Sequence, residues 1–491
     1  MKYLITNKQV KSVRVILMMA FLCLSGVLFA QNSNEMKKTN DDTTAVNQYG
    51  VKVSSFLLKG SAQNNILVLE NKEKGYKFWL DNRIQLDGAT YFNLKNGMFK
   101  DGKPYMPGGV MLRRVRMAVK AQVTKNWYGE IDLNFADGAF SLEDAYILYS
   151  GLKGFEFKAG NFKEDFSMEE TTTSRYTTFI ERAMVVSCFA PSRHIGIQAQ
   201  WQGLDWLRIS AGVSWQLIDN ADLRYNVEEY NKVGKPMGAN YTGKIVFMPW
   251  AAKRDYGLHI GYNGSYRSPY KTDDNVIDYN QLVGRGYGGN YFSTRNATSN
   301  NRTKFISTEF YGVKYDFLQG FELAGYYKGF RATCELITNT SVMDPKLQGT
   351  TATVNGKSKH FWGYYVQAAY LLFGGKQHYD VTQSEFTQPS RGKKWGDLEL
   401  MARFDYLTLN SQDIYGGSGQ NISLGLVYHI NNNVKLMVNY QISQNDKYAN
   451  NKGKAIIGKD TDGKDTSNPK LAASNFGVRF NTLQGRIEID F

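Results

Sequence analysis

The stretch Leu112–Trp201 constrains the fold most, because its side chains alternate between apolar and charged almost residue by residue. Within Arg114–Val123, Val115, Met117, Val119, Ala121 and Val123 fall on one side of an extended chain, and Arg114, Arg116, Lys120 and Gln122 on the other. Successive side chains of a strand point to opposite faces, so one face is apolar and the other strongly basic. Trp127–Phe135 repeats the pattern with Glu130, Asp132 and Asn134 as its polar half, and Phe155–Ala159 and Ile195–Trp201 repeat it again. Between these last two, Asp165–Arg193 carries no such alternation. Strands with one greasy and one charged face, interrupted by a long insert, describe the wall of a pore.

The alternation begins at Tyr76, where Phe78, Leu80, Ile84 and Leu86 oppose Asp81, Arg83, Gln85 and Asp87, and it runs to Ile487, Ile489 and Phe491 at the end of the chain. Short connectors such as Thr124–Asn126, Gly203–Asp205 and Asn431–Asn433 contrast with long polar ones. The long set comprises Asp219–Asn240, Ser268–Asn301, Thr338–Lys359, Gln383–Gly396 and Ser443–Asn475. Short turns at one end and long loops at the other characterise a transmembrane antiparallel β-barrel, all-β, with periplasmic turns and extracellular loops. Strands of about 9–11 residues, with their connectors, fit about 16 strands into Tyr76–Phe491. A soluble sheet with one wet face also alternates. Aromatics at strand ends (Trp127, Trp201, Trp215, Trp362, Tyr406, Phe491) favour the membrane girdle instead.

The first residues support export. Lys8, Lys11 and Arg14 precede the apolar run Val15–Phe29, and Leu28-Phe29-Ala30 reads as a cleavage site, so 1–30 is expected to be a signal peptide. Residues 31–75 are expected to form an N-terminal periplasmic extension, and 76–491 the outer-membrane barrel. After Ala30 no apolar run reaches the length of a transmembrane helix. Loss of residues 1–30 leaves 55 basic against 45 acidic residues, a balance suited to anionic partners. Cys188 and Cys334 then remain, too few for a disulfide framework, and Cys188 is expected to be a small buried side chain in the insert.

Leu112–Trp201 also resembles the phosphate-selective porin O and P family of Gram-negative outer membranes. The likeness lies in Arg113-Arg114-Val115-Arg116, in Leu142-Glu143-Asp144-Ala145-Tyr146-Ile147, and in Gly160-Asn161-Phe162-Lys163-Glu164-Asp165-Phe166-Ser167-Met168-Glu169-Glu170. It continues through Ser174-Arg175-Tyr176-Thr177-Thr178-Phe179-Ile180-Glu181-Arg182 and Ala190-Pro191-Ser192-Arg193-His194-Ile195-Gly196. The resemblance implies a homotrimer of 16-stranded barrels whose third loop, Asp165–Arg193, folds into the lumen. It also implies that small anionic solutes pass between basic residues along the pore wall.

Arg114 and Arg116 match the strand arginines of that motif, and Arg83, Lys120 and Lys158 join them on the face reading. A guanidinium binds phosphate oxygens bidentately and keeps its charge, so a basic row suits transient anion sites. Pairing of these cations with Asp81, Asp87, Glu130 and Asp132 is the competing reading. In the insert, Glu169, Glu170, Arg175, Glu181 and Arg182 are candidates for the constriction, or for pinning the loop to the wall, because an inward loop must satisfy its own polar groups. No metal or cofactor motif is present, and the five histidines are scattered singly. Two other readings stay open: a barrel serving as a surface scaffold through its long loops, and a barrel hydrolase assembled from distant strands. The expected partners are outer-membrane lipid and the barrel-assembly machinery, which would read the last strand ending in Phe491. The basic residues form no compact nucleic-acid patch.

Overall fold

A strand facing lipid must pair every backbone group with a neighbour, and only a closed sheet does so without an edge. The computed structural model describes residues 43–97, 106, 108–136, 138, 140–215, 239–250, 255–267, 289–301, 303–343 and 357–491. The expected signal peptide, 1–30, lies outside the described residues.

The wall strands are β1 (Tyr76–Lys95), β2 (Gly109–Gln122), β3 (Trp127–Asn134), β4 (Ser141–Tyr149) and β5 (Phe155–Lys163). Then come β6 (Arg193–Leu204), β7 (Leu207–Ser214), β8 (Asn240–Phe247), β9 (Tyr256–Arg267), β10 (Val313–Tyr327) and β11 (Phe330–Met343). The last are β12 (Lys359–Leu371), β13 (Asp397–Ser411), β14 (Ile414–His429), β15 (Val434–Asp446) and β16 (Phe476–Asp490). Each pairs antiparallel with its neighbours in sequence, and β16 closes on β1 through pairs such as Ile487↔Leu86 and Asp490↔Arg83. The barrel and its sixteen strands are those expected from the alternation. Ile131, Ile147, Ile197, Leu323, Val366 and Leu424 stand on the outer face, and Trp127, Trp206, Trp250 and Trp395 form an exposed aromatic ring at the turn end.

Part of the expected extension joins this wall. The hairpin of Lys59–Gln63 and Ile66–Asn71 pairs with the start of β1, from Val68↔Trp79 to Asn71↔Tyr76. A small hairpin, Thr43–Val46 with Lys52–Ser55, forms a separate unit.

One connector lies at the end opposite to its expected place. Gln383–Gly396, expected by its length among the long loops, belongs to Leu372–Gly396, which joins β12 to β13 at the turn end. At the loop end, β13 and β14 are joined by Gln412-Asp413 alone. Antiparallel parity decides the end, and connector length does not report parity.

Among the described residues, three connectors enter the barrel. The third loop carries two short helices, α1 (Met168–Thr171) and α2 (Met184–Phe189). Helix α2 buries Met184, Val185, Val186 and Phe189 against Phe305, Ile306, Phe310, Phe361 and Leu407. The hairpin of Gly289–Thr294 and Ile306–Tyr311 covers it, and Asn296 at the hairpin's tip bonds Asn445, while its carbonyl accepts from Gln441 and Asn421. From the turn end, Tyr379 and Phe386 of Leu372–Gly396 pack with Tyr326 and Met168 of α1. The barrel interior beside β10–β16 is therefore largely filled, and open space remains on the other side.

Candidate functional site

That space is a cavity of about 710 Å³ bordered by β1–β7, the third loop, and Gln383 and Glu385 of the turn-end connector. Eleven basic and nine acidic side chains line it, so its field depends on which of them are already paired. Nine of the ten candidate residues line this cavity. Glu169 does not: its N–H donates to Glu335 at 2.8 Å and its carboxylate accepts from Gln367 at 3.2 Å. Glu169 thus ties the loop to β11 and β12, the pinning alternative of the two roles expected for the insert residues. The reason is that helix α1 turns adjacent side chains to different sides, Glu170 to the cavity and Glu169 to the wall.

Most of the row is neutralised locally. Arg83 reaches Ser174 at 2.5 Å and Asp490 at 3.2 Å. Arg116 pairs with Asp132 (3.2 Å) and Glu143 (2.8 Å), and Lys120 with Asp81 (2.8 Å) and Glu130 (3.5 Å). Arg175 of the third loop clamps Asp81 and lies 2.9 Å from Asp490, while Arg182 binds Glu170 at 3.2 Å. Glu181 accepts from Arg113 at 2.7 Å. Glu170, Arg175, Glu181 and Arg182 therefore both pin the loop and face the cavity.

Two cations differ. Arg114 donates to the amide of Gln85 at 2.8 Å and has no carboxylate within ion-pair distance among the described residues. Lys158 has none either; its ammonium lies over the rings of Tyr146 (4.9 Å) and Phe162 (5.4 Å). An aromatic face attracts a cation without cancelling its charge, so Lys158 presents a full charge to the cavity.

The face reading missed Arg113 and Glu143, and two β-bulges explain why. The register passes from Gln85↔Arg114 to Leu86↔Leu112, skipping Arg113, and from Asp132↔Asp144 to Leu133↔Leu142, skipping Glu143. An extra residue in one strand lets two consecutive side chains share a face. Strict alternation would instead aim Arg113 at lipid, which costs about 2–4 kcal/mol at the midplane. Consecutive charges inside an alternating strand were the available signal. The carbonyl of the bulged Glu143 accepts from Asn161 at 2.6 Å. Gly160, at φ +133°, lies against β4, where a Cβ would meet the carbonyl of Ala145 at 2.2 Å. Arg193, paired with Asp144 at 2.7 Å, and Arg208, paired with Asp165 at 2.6 Å, complete the lining. At the root of the third loop, burial opposes ionisation of Asp165, but Arg208 and Lys244 outweigh it and hold its carboxyl well below the usual range. Burial likewise opposes ionisation of Glu181, and Arg113 outweighs it. Both cysteines are free thiols; Cys188 is half-buried against the loop's apolar cluster.

The arrangement is a charged, water-accessible cavity against the barrel wall, as a diffusion channel requires. Sequence comparison points the same way. The chain is similar to Porin O of Pseudomonas aeruginosa, 25% identical over 413 residues, covering 79% of this chain and 87% of that protein. Among solved structures it is similar to the anion-selective porin from Comamonas acidovorans (11% identity, 85% of this chain and 100% of that one, TM-score 0.48). It is also similar to the outer membrane channel DcaP of Acinetobacter baumannii (11% identity, 86% and 99%, TM-score 0.47). The model of the family "Phosphate-selective porin O and P" matches residues 92–463. The chain belongs to that family, and is a porin channel of the Gram-negative outer membrane.

Proposed function

We propose that this porin passes small solutes by diffusion with a preference for anions, phosphate among them. The observation that carries the preference is the residual charge of the cavity: among the described residues, Arg114 and Lys158 remain without carboxylate partners after the rest of the row has paired. Several shallow cationic positions attract an anion yet release it, which is what conduction needs. Membership of a family described as phosphate-selective supports phosphate as one such solute. The reading includes export through residues 1–30, a periplasmic extension from 31, and recognition of the last strand ending in Phe491 by the barrel-assembly machinery.

A homotrimer belongs to the same proposal. Strands β3, β4 and β5 have eight, nine and nine residues, whereas β1 has twenty. At roughly 3.3 Å per residue and a tilt near 40°, the short strands rise about 20–23 Å, less than the ~25 Å apolar band. A second copy against this low wall would cover the difference. An oligomer resistant to cold detergent and dissociated by heating is expected on gels; a monomer at all temperatures would remove this part of the reading.

Planar-bilayer recording of the refolded protein in a KCl gradient tests the channel itself. A reversal potential displaced toward chloride is expected, with chloride current reduced by added phosphate. Cation preference would refute the anion reading, and absence of conductance would refute the pore.

A further inference from the structure

On its turn-end side the cavity is lined by Gln383 and Glu385 of Leu372–Gly396, whose tip is a two-rung hairpin pairing Tyr379↔Phe386 and Asp380↔Glu385. Pins from three wall strands hold it. The carbonyl of Thr382 accepts from Gln200 of β6 and Arg208 of β7, each at 2.9 Å, and the Tyr379 hydroxyl lies 2.6 Å from His259 of β9. His259 in turn is 2.9 Å from Glu322, which Lys244 neutralises at 3.0 Å. A segment fixed in this way places its side chains in the cavity at a defined position.

Glu385 is one of those side chains, and its pairing sets it apart. The other eight acids of the lining each have a cation within 4 Å. Glu385 has neither an ion pair nor a side-chain hydrogen bond among the described residues. It is the acidic counterpart of Arg114 and Lys158. We propose that Glu385 is a selectivity-determining residue of the channel, an acid held in the passage by the inward connector, whose charge opposes the unpaired cations and whose protonation strengthens anion preference. This rests on the channel reading above.

The groups facing it are Lys163 at the end of β5, Arg208 of β7, Lys244 of β8 and Asp380 on its own hairpin. Arg208 and Lys244 are already engaged by Asp165, and Asp380 stands directly across the ladder, where like charges repel. Burial first, opposed by Lys163 and then reinforced by Asp380, pushes the carboxyl up to about 7. Glu385 is thus charged at mildly alkaline pH and neutral at mildly acidic pH. One charge about 7 Å from a permeating ion in water is worth roughly a two- to threefold change in its local concentration.

The test measures the anion-to-cation permeability ratio of the full-length channel in a KCl gradient at pH 8.0 and pH 5.5. In the unaltered protein the ratio is expected to rise by at least about two- to threefold on acidification, because the anion gains what the cation loses. Glu385→Gln is expected to show the raised ratio at both pH values, which separates Glu385 from any other group as the source of the change. Glu385→Lys should raise the ratio further at pH 8.0. Normal conductance with an unchanged ratio in both variants would overturn the inference and leave the channel reading standing. Failure of the unaltered protein to conduct would instead overturn the channel reading.

Discussion

Lys158→Glu combined with Arg114→Gln is expected to convert the channel from anion- to cation-preferring. The change removes the two row cations that lack carboxylate partners among the described residues and adds one acid beside Tyr146 and Phe162, lowering the charge presented to the permeating ion by three. Each charge acting through water near 7 Å contributes about 0.6 kcal/mol, so the permeability ratio should move by at least about tenfold. Reversal potentials in a KCl gradient measure this directly. The same residues test the pairing argument. Arg116→Gln also removes one positive charge, but it leaves Asp132 and Glu143 without their shared partner in the wall. Breaking a largely desolvated pair typically costs 3–5 kcal/mol. Its main effect should therefore be poorer refolding, read as loss of heat-modifiable mobility on gels. Preserved anion preference in the Lys158/Arg114 double variant would show that the unpaired cations do not set selectivity.

The contrast between paired and unpaired charges also marks where sequence reasoning stops. Period-two alternation was enough to find the barrel, because a strand between lipid and water must sort its side chains by face. It placed Arg83, Arg114, Arg116, Lys120 and Lys158 on the inner face, and all five line one cavity. It could not say which would keep a free charge. That depends on partners far along the chain: Arg83 meets Asp490 across the closure of the barrel, and Arg113 meets Glu181 of the third loop. The two bulges were hidden for a related reason. Alternation is a local rule, and a register skip such as that at Arg113 is visible only when the partner strand is known. The inward fold of Leu372–Gly396 was missed because long connectors were assigned to one end. Even so, the chemistry of the inner faces reflects what fills the barrel. Strands β1–β7 turn charges toward the open cavity, whereas β14–β16 turn amides such as Asn421, Gln441 and Gln484 toward the loop tip that occupies their side. Amides can satisfy a dry backbone without bringing in unpaired charge.

Removal of the third loop should have the largest effect on conductance. Replacing residues 168–189 by a short glycine-serine linker takes out α1 and α2, each about 10 Å thick with its side chains, from a barrel whose walls alone would enclose an aqueous channel. Conductance is expected to rise roughly threefold or more, with selectivity weakened as the passage widens. The deletion also strips the cover from Phe305, Ile306, Phe310 and Phe361, which the loop keeps dry. Exposed to water, that apolar surface no longer holds the second inward hairpin, so current noise should increase along with mean current. Arg83 and Asp81 lose Ser174 and Arg175 respectively but keep Asp490 and Lys120, so the wall itself should survive the change. A variant that refolds with unchanged conductance would mean that the narrowest point lies elsewhere along the passage. The remaining obstruction would then be the turn-end connector bearing Glu385, and deletion of its tip, 379–386, should open the channel where deletion of the third loop did not.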